Sequence, residues 1–359
     1  MFKFAINGFG RIGRSSARVW LASHRQNLEL VAINTSGSLK ASGWAYLLKY
    51  DTAYGPLPYQ VTGEDLLDPK SVTPENSHIG NLHVKGPDFS YTIPVLAQRD
   101  PSLIKWADYG ANIIIEATGV FTTKESASKH LIGGATHVVI SAPAKGDDIE
   151  TVVLGVNDEI FTKDKSNGFS VVSNASCTTN CVSPVAAVMQ DRIGVIKAML
   201  LTVHGYTDDQ NLQDNSHKDL RRSRAAASNI VPTSTGAAIA ATYAIPELKG
   251  LFDGLAIRVP VITGSLTDFT FITTRSTSVE EINEMFIDAS RLPRWHGILA
   301  VTDEPLVSSD IIGRSESAIV DLSMTRVVDG DMVKVLAWYD NEWGYTNRLV
   351  EQVLKLAQL

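Results

Sequence analysis

An apolar run, Phe2–Asn7, passes into an amphipathic stretch, Arg11–Ala22, through Asn7-Gly8-Phe9-Gly10-Arg11-Ile12-Gly13. Glycines at this spacing admit few folds. Gly8 permits the tight turn, Gly10 lets backbone approach a pyrophosphate, and Gly13 lets the helix lie close on the strand. The helix N-terminus then offers unpaired N–H groups and a positive dipole end to phosphates. G-x-G-x-x-G alone is a weak match, and its place between a strand and a helix is what makes it strong.

The rest of the first half fits a sheet wound by crossover helices. Leu28–Asn34, Asn112–Ala117 and His137–Ser141 read as strands, with a helix near Lys124–Leu131. Ile113-Ile114-Ile115 and Val138-Val139-Ile140 are continuous β-branched runs, as strands covered on both faces require. Between Asp51 and Gln98 the chain is turn-rich, with Pro56, Pro58, Pro69, Pro74 and Pro87, and reads as a meandering excursion.

After a helix starting near Thr178 the pattern changes to long alternating segments, Lys197–Val203, Leu255–Thr274, Ala318–Thr325 and Met332–Trp338. Alternation implies an antiparallel sheet with one buried face. Ser278-Val-Glu-Glu281 is a capping box opening a helix over Val279–Ser290, and Thr346–Leu359 is an amphipathic helix. The expected class is α/β, with an N-terminal Rossmann-like dinucleotide-binding domain and an α+β catalytic domain built on a mainly antiparallel sheet. The expected boundaries are residues 1–176, with a helix of about 341–359 returning to that domain, and residues 177–340. A length of 359 residues suits two domains.

Composition excludes several classes. With 32 basic and 39 acidic residues the chain carries a formal charge of −7, which argues against nucleic acid or an anionic membrane as the main partner. No apolar stretch approaches the roughly 20 residues that span a bilayer, and the N-terminus shows no secretory or transit pattern. The two cysteines, Cys177 and Cys181, form neither a disulfide framework nor a zinc-ligand pattern, so no metal is expected. A soluble, cytoplasmic protein is expected.

A carboxylate at the end of the second strand would grip the ribose 2′-OH of NAD. Here the strand ends Ala32-Ile33-Asn34-Thr35-Ser36-Gly37-Ser38, without an acid, and Lys40 follows. Hydroxyls and N–H groups at Asn34 and Thr35 suit a 2′-phosphate better than a carboxylate does.

Chemistry concentrates in Ser173-Asn-Ala-Ser-Cys-Thr-Thr-Asn-Cys181, which puts Cys177 where a strand turns into a helix. A thiol there has its thiolate stabilised by the dipole and free N–H groups. Cys181, one turn on and followed by Val182, reads as a packing residue. His204, at the end of the strand Thr202-Val203-His204, is the base such a nucleophile needs, lowering the Cys177 pKa by ion pairing and moving protons.

These motifs, with Leu48-Lys-Tyr-Asp51, Gln98-Arg-Asp-Pro101, Glu116-Ala-Thr-Gly119, His217-Lys-Asp-Leu-Arg-Arg222, Pro232-Thr-Ser-Thr-Gly236 and Trp338-Tyr-Asp-Asn-Glu-Trp-Gly-Tyr345, span the chain. Together they resemble the phosphorylating glyceraldehyde-3-phosphate dehydrogenases. The resemblance implies reversible oxidation of glyceraldehyde 3-phosphate with inorganic phosphate and NAD or NADP, through a thioester on Cys177 with His204 as proton carrier. It implies a substrate-phosphate group of Thr207, Asp209 and Arg258, with Asp209 orienting Arg258, and an inorganic-phosphate group of Ser176, Thr178, Thr235 and Gly236. It places Arg11, Ile12, Arg99, Thr118 and Ser141 along the cofactor, Asn341 on the nicotinamide amide and Tyr345 near that ring. It also implies a homotetramer, with the basic segment His217–Arg224 packed between subunits.

Two positions depart from the NAD-preferring pattern of that family. Thr35 replaces an aspartate, and Asn215-Ser216 replace a Leu-Pro pair, Ser216 being a position that reaches the adenosine ribose in NADP-using relatives. NADP use, preferred or dual, is the expectation. The segment Pro56–Pro94 is longer than usual and reads as a surface extension. The rival readings are an erythrose-4-phosphate dehydrogenase, or a non-catalytic dinucleotide- or RNA-binding protein.

Overall fold

The computed structural model describes residues 1–163 and 170–358, so Leu359, the end of the predicted last helix, lies outside the described residues. Internal contacts divide the chain into two units. The first comprises Met1–Thr151, Glu159–Ala175 and Thr346–Leu359, and the second Val152–Asp158 and Ser176–Tyr345.

The first unit carries strands β1 (Phe2–Asn7), β2 (Leu28–Asn34), β3 (Gln60–Asp65), β4 (His78–Lys85), β5 (Ser90–Leu96), β6 (Ile113–Glu116), β7 (His137–Ile140), β8 (Glu150–Thr151) and β9 (Val171–Ser173). Its helices are α1 (Arg11–Val19), α2 (Ala41–Lys49), α3 (Lys124–Ala127), α4 (Lys129–Ile132) and α5 (Ile160–Lys163). The sheet order is β3-β4-β5-β2-β1-β6-β7-β9-β8, parallel from β5 through to β8. β1 lies at its centre, paired on one side with β2 and on the other with β6, and Phe4, Ala5 and Ile6 are fully buried. The loop after β1 therefore opens at the carboxyl edge of a parallel sheet, where such folds bind ligands. α1 is shorter than its hydrophobic pattern, because the chain widens to a π-turn over Trp20–His24.

The excursion Asp51–Gln98 is built of strands that the sequence did not resolve. It holds an antiparallel meander, β3-β4-β5, whose last strand joins the main sheet in parallel beside β2. The five prolines that marked the excursion as turn-rich all fall in the connections, so they punctuate its strands. Helix α2, which precedes it, was not read from the sequence.

The second unit carries β10 (Val195–Gly205), β11 (Val231–Ser234), β12 (Phe252–Val259), β13 (Ser265–Thr273), β14 (Leu299–Thr302), β15 (Ala318–Asp321), β16 (Arg326–Val328) and β17 (Met332–Tyr339). Helices α6 (Cys177–Arg192), α7 (Ala237–Ala244) and α8 (Val279–Ser290) accompany them, and α9 (Trp343–Ala357) begins here and ends in the first unit. The sheet runs β11-β12-β10-β13-β17-β15-β14, with β16 on β17. It is antiparallel except at β10–β12 and β14–β15. The single expected segment Leu255–Thr274 is two strands, since Pro260 has no N–H for the ladder and Gly264 turns the chain with φ 91°. β13 alternates strictly between buried and half-buried positions, the two-faced pattern read from its sequence. At α8, Ser278 Oγ accepts from Glu281 N–H, while the Glu281 carboxylate engages Arg275 and Thr277, so only half of the expected capping box forms.

Candidate active site

In the first unit a cavity of about 520 Å³ opens over the glycine loop, lined among others by Asn7, Gly8, Gly10, Asn34, Thr35, Arg99 and Thr118. The glycines differ in what they do. Gly8 sits at φ 95°, and a Cβ there would lie 2.7 Å from the Thr118 nitrogen. A Cβ on Gly13 would lie 2.0 Å from the Gly8 oxygen, so its absence lets α1 rest on the turn. A Cβ on Gly10 would meet nothing within 4 Å, because Gly10 faces the open cavity. An open backbone surface beside a helix N-terminus fits a pyrophosphate.

The side chains sort themselves around this cradle. Asn34 Nδ2 donates to Asn7 Oδ1 at 2.6 Å and to the Gln98 carbonyl at 2.8 Å. Arg99 is exposed at the rim. Arg11 is engaged by Asp51, and it and Ile12 form the first turn of α1, outside the lining residues. Ser141 follows β7 and donates its N–H to the Glu116 carbonyl, outside the lining residues. Thr35 is a correction. Its side chain is buried and its hydroxyl donates inward to the Leu96 carbonyl at 3.0 Å, so it does not face a 2′-phosphate. The exposed hydroxyls are those of Ser36 and Ser38, 3.0 Å apart.

In the second unit, helix α6 begins at Cys177. Ser176 caps it, its Oγ accepting the Thr179 N–H at 3.0 Å, a bond worth about 1 kcal/mol. Just before the cap, Ala175 is left-handed at φ 56°, a conformation a non-glycine residue adopts only when its surroundings impose it. Cys177 is partly exposed and Cys181 is buried. His204 and Arg258 lie one residue before the ends of the parallel neighbours β10 and β12 and stand directly opposite each other in register.

Cys177 Sγ lies 3.4 Å from His204 Nε2. His204 Nδ1 faces the Gly205 carbonyl, which can only accept, at 2.6 Å and Arg258 Nη1, which can only donate, at 2.8 Å; the shorter contact favours the proton on Nδ1, the tautomer that turns the Nε2 lone pair to the thiol. Arg258 Nη1 also donates to the same carbonyl at 3.1 Å. Burial, joined by this neighbouring charge, holds the imidazole neutral, with its pKa pulled down to about 3. Burial pushes the Cys177 thiol up, opposed first by the Arg258 charge and then by Thr178. Burial and the Arg258 charge thus favour the neutral imidazole, while the Arg258 charge favours the thiolate.

Arg258 Nη1 lies 3.4 Å from Thr207 Oγ1, and its Nε is buried without a hydrogen-bond partner among the described residues. Asp209 does not orient Arg258. Its carboxylate is taken by the Arg222 guanidinium, with His217 Nε2 at 3.7 Å, because the loop that follows folds its basic residues back on its acidic ones. Arg224 pairs with Asp214 in the same way. Thr178 Oγ1 lies 2.9 Å from the Tyr339 hydroxyl, which also reaches Thr202 Oγ1 at 2.9 Å. Tyr339, whose ring packs edge-on against His204, was missed; its only signal was its place beside Asn341 in the Trp338–Tyr345 motif.

Thr235 and Gly236 lie at the start of α7, where Thr235 Oγ1 accepts the Ala237 N–H and Gly236 is open. Asn341 is buried, and Ser265 donates to its Oδ1 while the Thr263 hydroxyl donates to Asp340, which leaves Nδ2 as the Asn341 donor. Tyr345 is buried in α9, and Ser216 is exposed in the loop after β10. Among the described residues no helix is long and apolar enough to cross a membrane, and no cluster of His, Cys, Asp and Glu is placed to hold a metal.

Comparison with known proteins agrees over both units. A sequence model described as the glyceraldehyde 3-phosphate dehydrogenase NAD binding domain matches residues 2–124, and one described as the C-terminal domain matches residues 176–341. Glyceraldehyde-3-phosphate dehydrogenase 2 of Streptomyces arenae is 48% identical over 349 residues, covering 97% of this chain and 96% of that protein. The glyceraldehyde-3-phosphate dehydrogenase of Zymomonas mobilis is 46% identical over 359 residues, covering 99% and 98%. Glyceraldehyde-3-phosphate dehydrogenase 2 of Trichormus variabilis is 47% identical over 360 residues, covering 100% and 98%. The chain belongs to the glyceraldehyde-3-phosphate dehydrogenase family, and its first unit carries that family's nicotinamide-dinucleotide-binding domain.

Proposed function

We propose that this family member oxidises glyceraldehyde 3-phosphate, with inorganic phosphate and a nicotinamide dinucleotide, to 1,3-bisphosphoglycerate, reversibly and through a thioester on Cys177. The observation that carries the reading is the 3.4 Å approach of Cys177 Sγ to a neutral His204 whose Nε2 lone pair faces it. Sγ adds to the aldehyde carbon while Nε2 takes the thiol proton and returns it to the new alkoxide. Nε2 then removes the hydroxyl proton of the hemithioacetal as its carbon is oxidised to the thioester. The nicotinamide, when bound, supplies the hydride acceptor. Phosphate attacks the thioester carbon, and the imidazolium returns its proton to the departing thiolate.

The half-buried Arg258, with a buried, unpartnered Nε and Thr207 beside it, binds the substrate phosphate. Asp209 contributes there by holding Arg222. Ser176, Thr178, Thr235 and Gly236 receive inorganic phosphate, and Asn341 Nδ2 holds the nicotinamide amide with Tyr345 nearby. In this reading the cofactor domain is residues 1–176 with the helix from about 341, and the catalytic domain is 177–340.

For the cofactor we favour NADP, preferred or dual. With the Thr35 hydroxyl turned inward, the argument rests on the missing carboxylate, on Ser36 and Ser38, and on Ser216. A homotetramer is supported by exposed apolar residues on the second unit's sheet and loops, among them Met199, Leu255, Leu220 and Ile230. We place the protein in the cytoplasm.

The test is reduction of NAD and NADP, followed by absorbance, with glyceraldehyde 3-phosphate or erythrose 4-phosphate, with and without phosphate. Phosphate-dependent turnover of the triose phosphate is expected. Faster turnover of erythrose 4-phosphate, independent of phosphate, refutes the substrate. A large NAD preference in kcat/KM refutes the cofactor choice.

A further inference from the structure

Behind the cavity of the first unit runs a chain of buried polar groups that the chemistry at Cys177 does not use. Glu116 ends β6 and is 1% exposed. A carboxylate so deeply buried is costly unless donors surround it. Oε2 receives Asn7 Nδ2 at 2.5 Å and His130 Nε2 at 3.0 Å. Oε1 receives the Thr118 N–H at 2.8 Å and the Thr118 hydroxyl.

His130, on α4, is fully buried, and its orientation is set from behind. Trp106 Nε1–H can only donate and lies 3.0 Å from His130 Nδ1. Nδ1 is therefore an acceptor, and Nε2 carries the proton that points at Glu116. On the other side the chain reaches the cavity. Asn7, held by Glu116, accepts from Asn34, and Asn34 is fixed to the Gln98 backbone by bonds of 2.8 Å in both directions. Asn7, Asn34, Gln98 and Thr118 all line the cavity. Two of these are gripped by Glu116 directly, and Asn34 through one further side chain.

We propose that Glu116 is a positioning residue for the nicotinamide dinucleotide, oriented in turn by His130 and Trp106. The inference rests on the reading of this cavity as the dinucleotide site. Its chemistry requires an acceptor on both oxygens. A glutamine at 116 would turn an NH2 donor either towards Asn7 and His130 or towards Thr118, and would release the residues it now holds. Glutamine at 130, by contrast, keeps a donor for Glu116 and an acceptor for Trp106.

The test is titration of the purified full-length protein with NAD and NADP by calorimetry, with thermal melts and the rate of Cys177 alkylation by iodoacetamide measured without dinucleotide. Glu116→Gln is expected to weaken dinucleotide binding at least tenfold with alkylation unchanged. His130→Leu is expected to do the same, and His130→Gln to retain affinity within about threefold. In a double-mutant cycle, Glu116→Gln costs less affinity in a Thr118→Val background, because part of its effect passes through that hydroxyl. If the wild type binds neither dinucleotide, the reading of the cavity fails. If the wild type binds, and folded Glu116→Gln or His130→Leu binds as tightly, the positioning role is overturned. Should Glu116→Gln not fold, equal affinity of His130→Leu and His130→Gln overturns it.

Discussion

Replacing Gly10 and Gly13 by alanine separates the two jobs of the glycine loop. Gly10 has φ −71° and ψ −157°, at the margin of the extended region open to alanine, and the new methyl meets nothing within 4 Å. Alanine is a poorer N-cap than glycine by about 0.5–1 kcal/mol. It restricts the unfolded chain by about 0.4–1 kcal/mol in compensation. Gly10→Ala should therefore melt within about 2 °C of the wild type, a change of under about 0.5 kcal/mol. Its methyl fills the space a pyrophosphate needs. Loss of one charge-assisted N–H bond, about 1.5–3 kcal/mol, weakens dinucleotide binding by about 10- to 100-fold.

Gly13→Ala is the converse. Its Cβ lies 2.0 Å from the Gly8 oxygen and 3.2 Å from Ile6 Cγ2, so α1 must move by more than about 1 Å from a strand pinned on both sides. Overpacking of this kind costs about 3 kcal/mol or more. A loss of that size lowers the melting temperature by about 6–12 °C. Melts by circular dichroism and dinucleotide titration by calorimetry read both quantities. Unchanged affinity in Gly10→Ala, or a wild-type melt in Gly13→Ala, refutes the reasoning.

Other outcomes follow from the second unit. Iodoacetamide should label Cys177 alone in the native protein, because Cys181 is fully buried and burial pushes its thiol well up. A second label by intact mass at neutral pH contradicts this, and Cys177→Ser should take no label and lose dehydrogenase activity. His204 titrates near 6.5 unfolded and at about 3 folded, so between those values the unfolded chain binds the extra proton. This group therefore makes stability rise with pH by about 1 kcal/mol per unit across that window. His204→Gln should flatten the acid limb of the urea midpoint against pH, and an unchanged limb refutes the neutral assignment. Tyr339→Phe removes the hydroxyl shared by Thr178 and Thr202, each at 2.9 Å. It should cost about 1–3 kcal/mol in urea denaturation, and no change would show that those hydroxyls find other partners.

Much of the site was legible because its requirements are local. The Gly8–Gly13 loop needs a turn, an open backbone and a close helix within six residues, and only glycine meets all three. Cys177 was readable in the same way, since a cap and a helix N-terminus are written in the four residues around it. In the Asp51–Gln98 segment the turns were legible from the prolines, but the strands between them were not, because strand formation there depends on pairing with other segments of the chain.

What the amino-acid order determined, then, were the features that contiguous backbone dictates: the alternation of strands and helices, the phosphate loop, and the thiol at a helix start. Tertiary structure decided which partners those residues received. His204 and Arg258 are 54 residues apart, and the parallel register of β10 and β12 sets them side by side. Packing turned the Thr35 hydroxyl inward, gave Asp209 to Arg222, and joined Trp106, His130 and Glu116 behind the cavity. Hydrogen bonds and charge effects act over a few ångströms of space, whatever the distance along the chain, so residue type identified the groups able to react and the fold alone set their protonation and orientation.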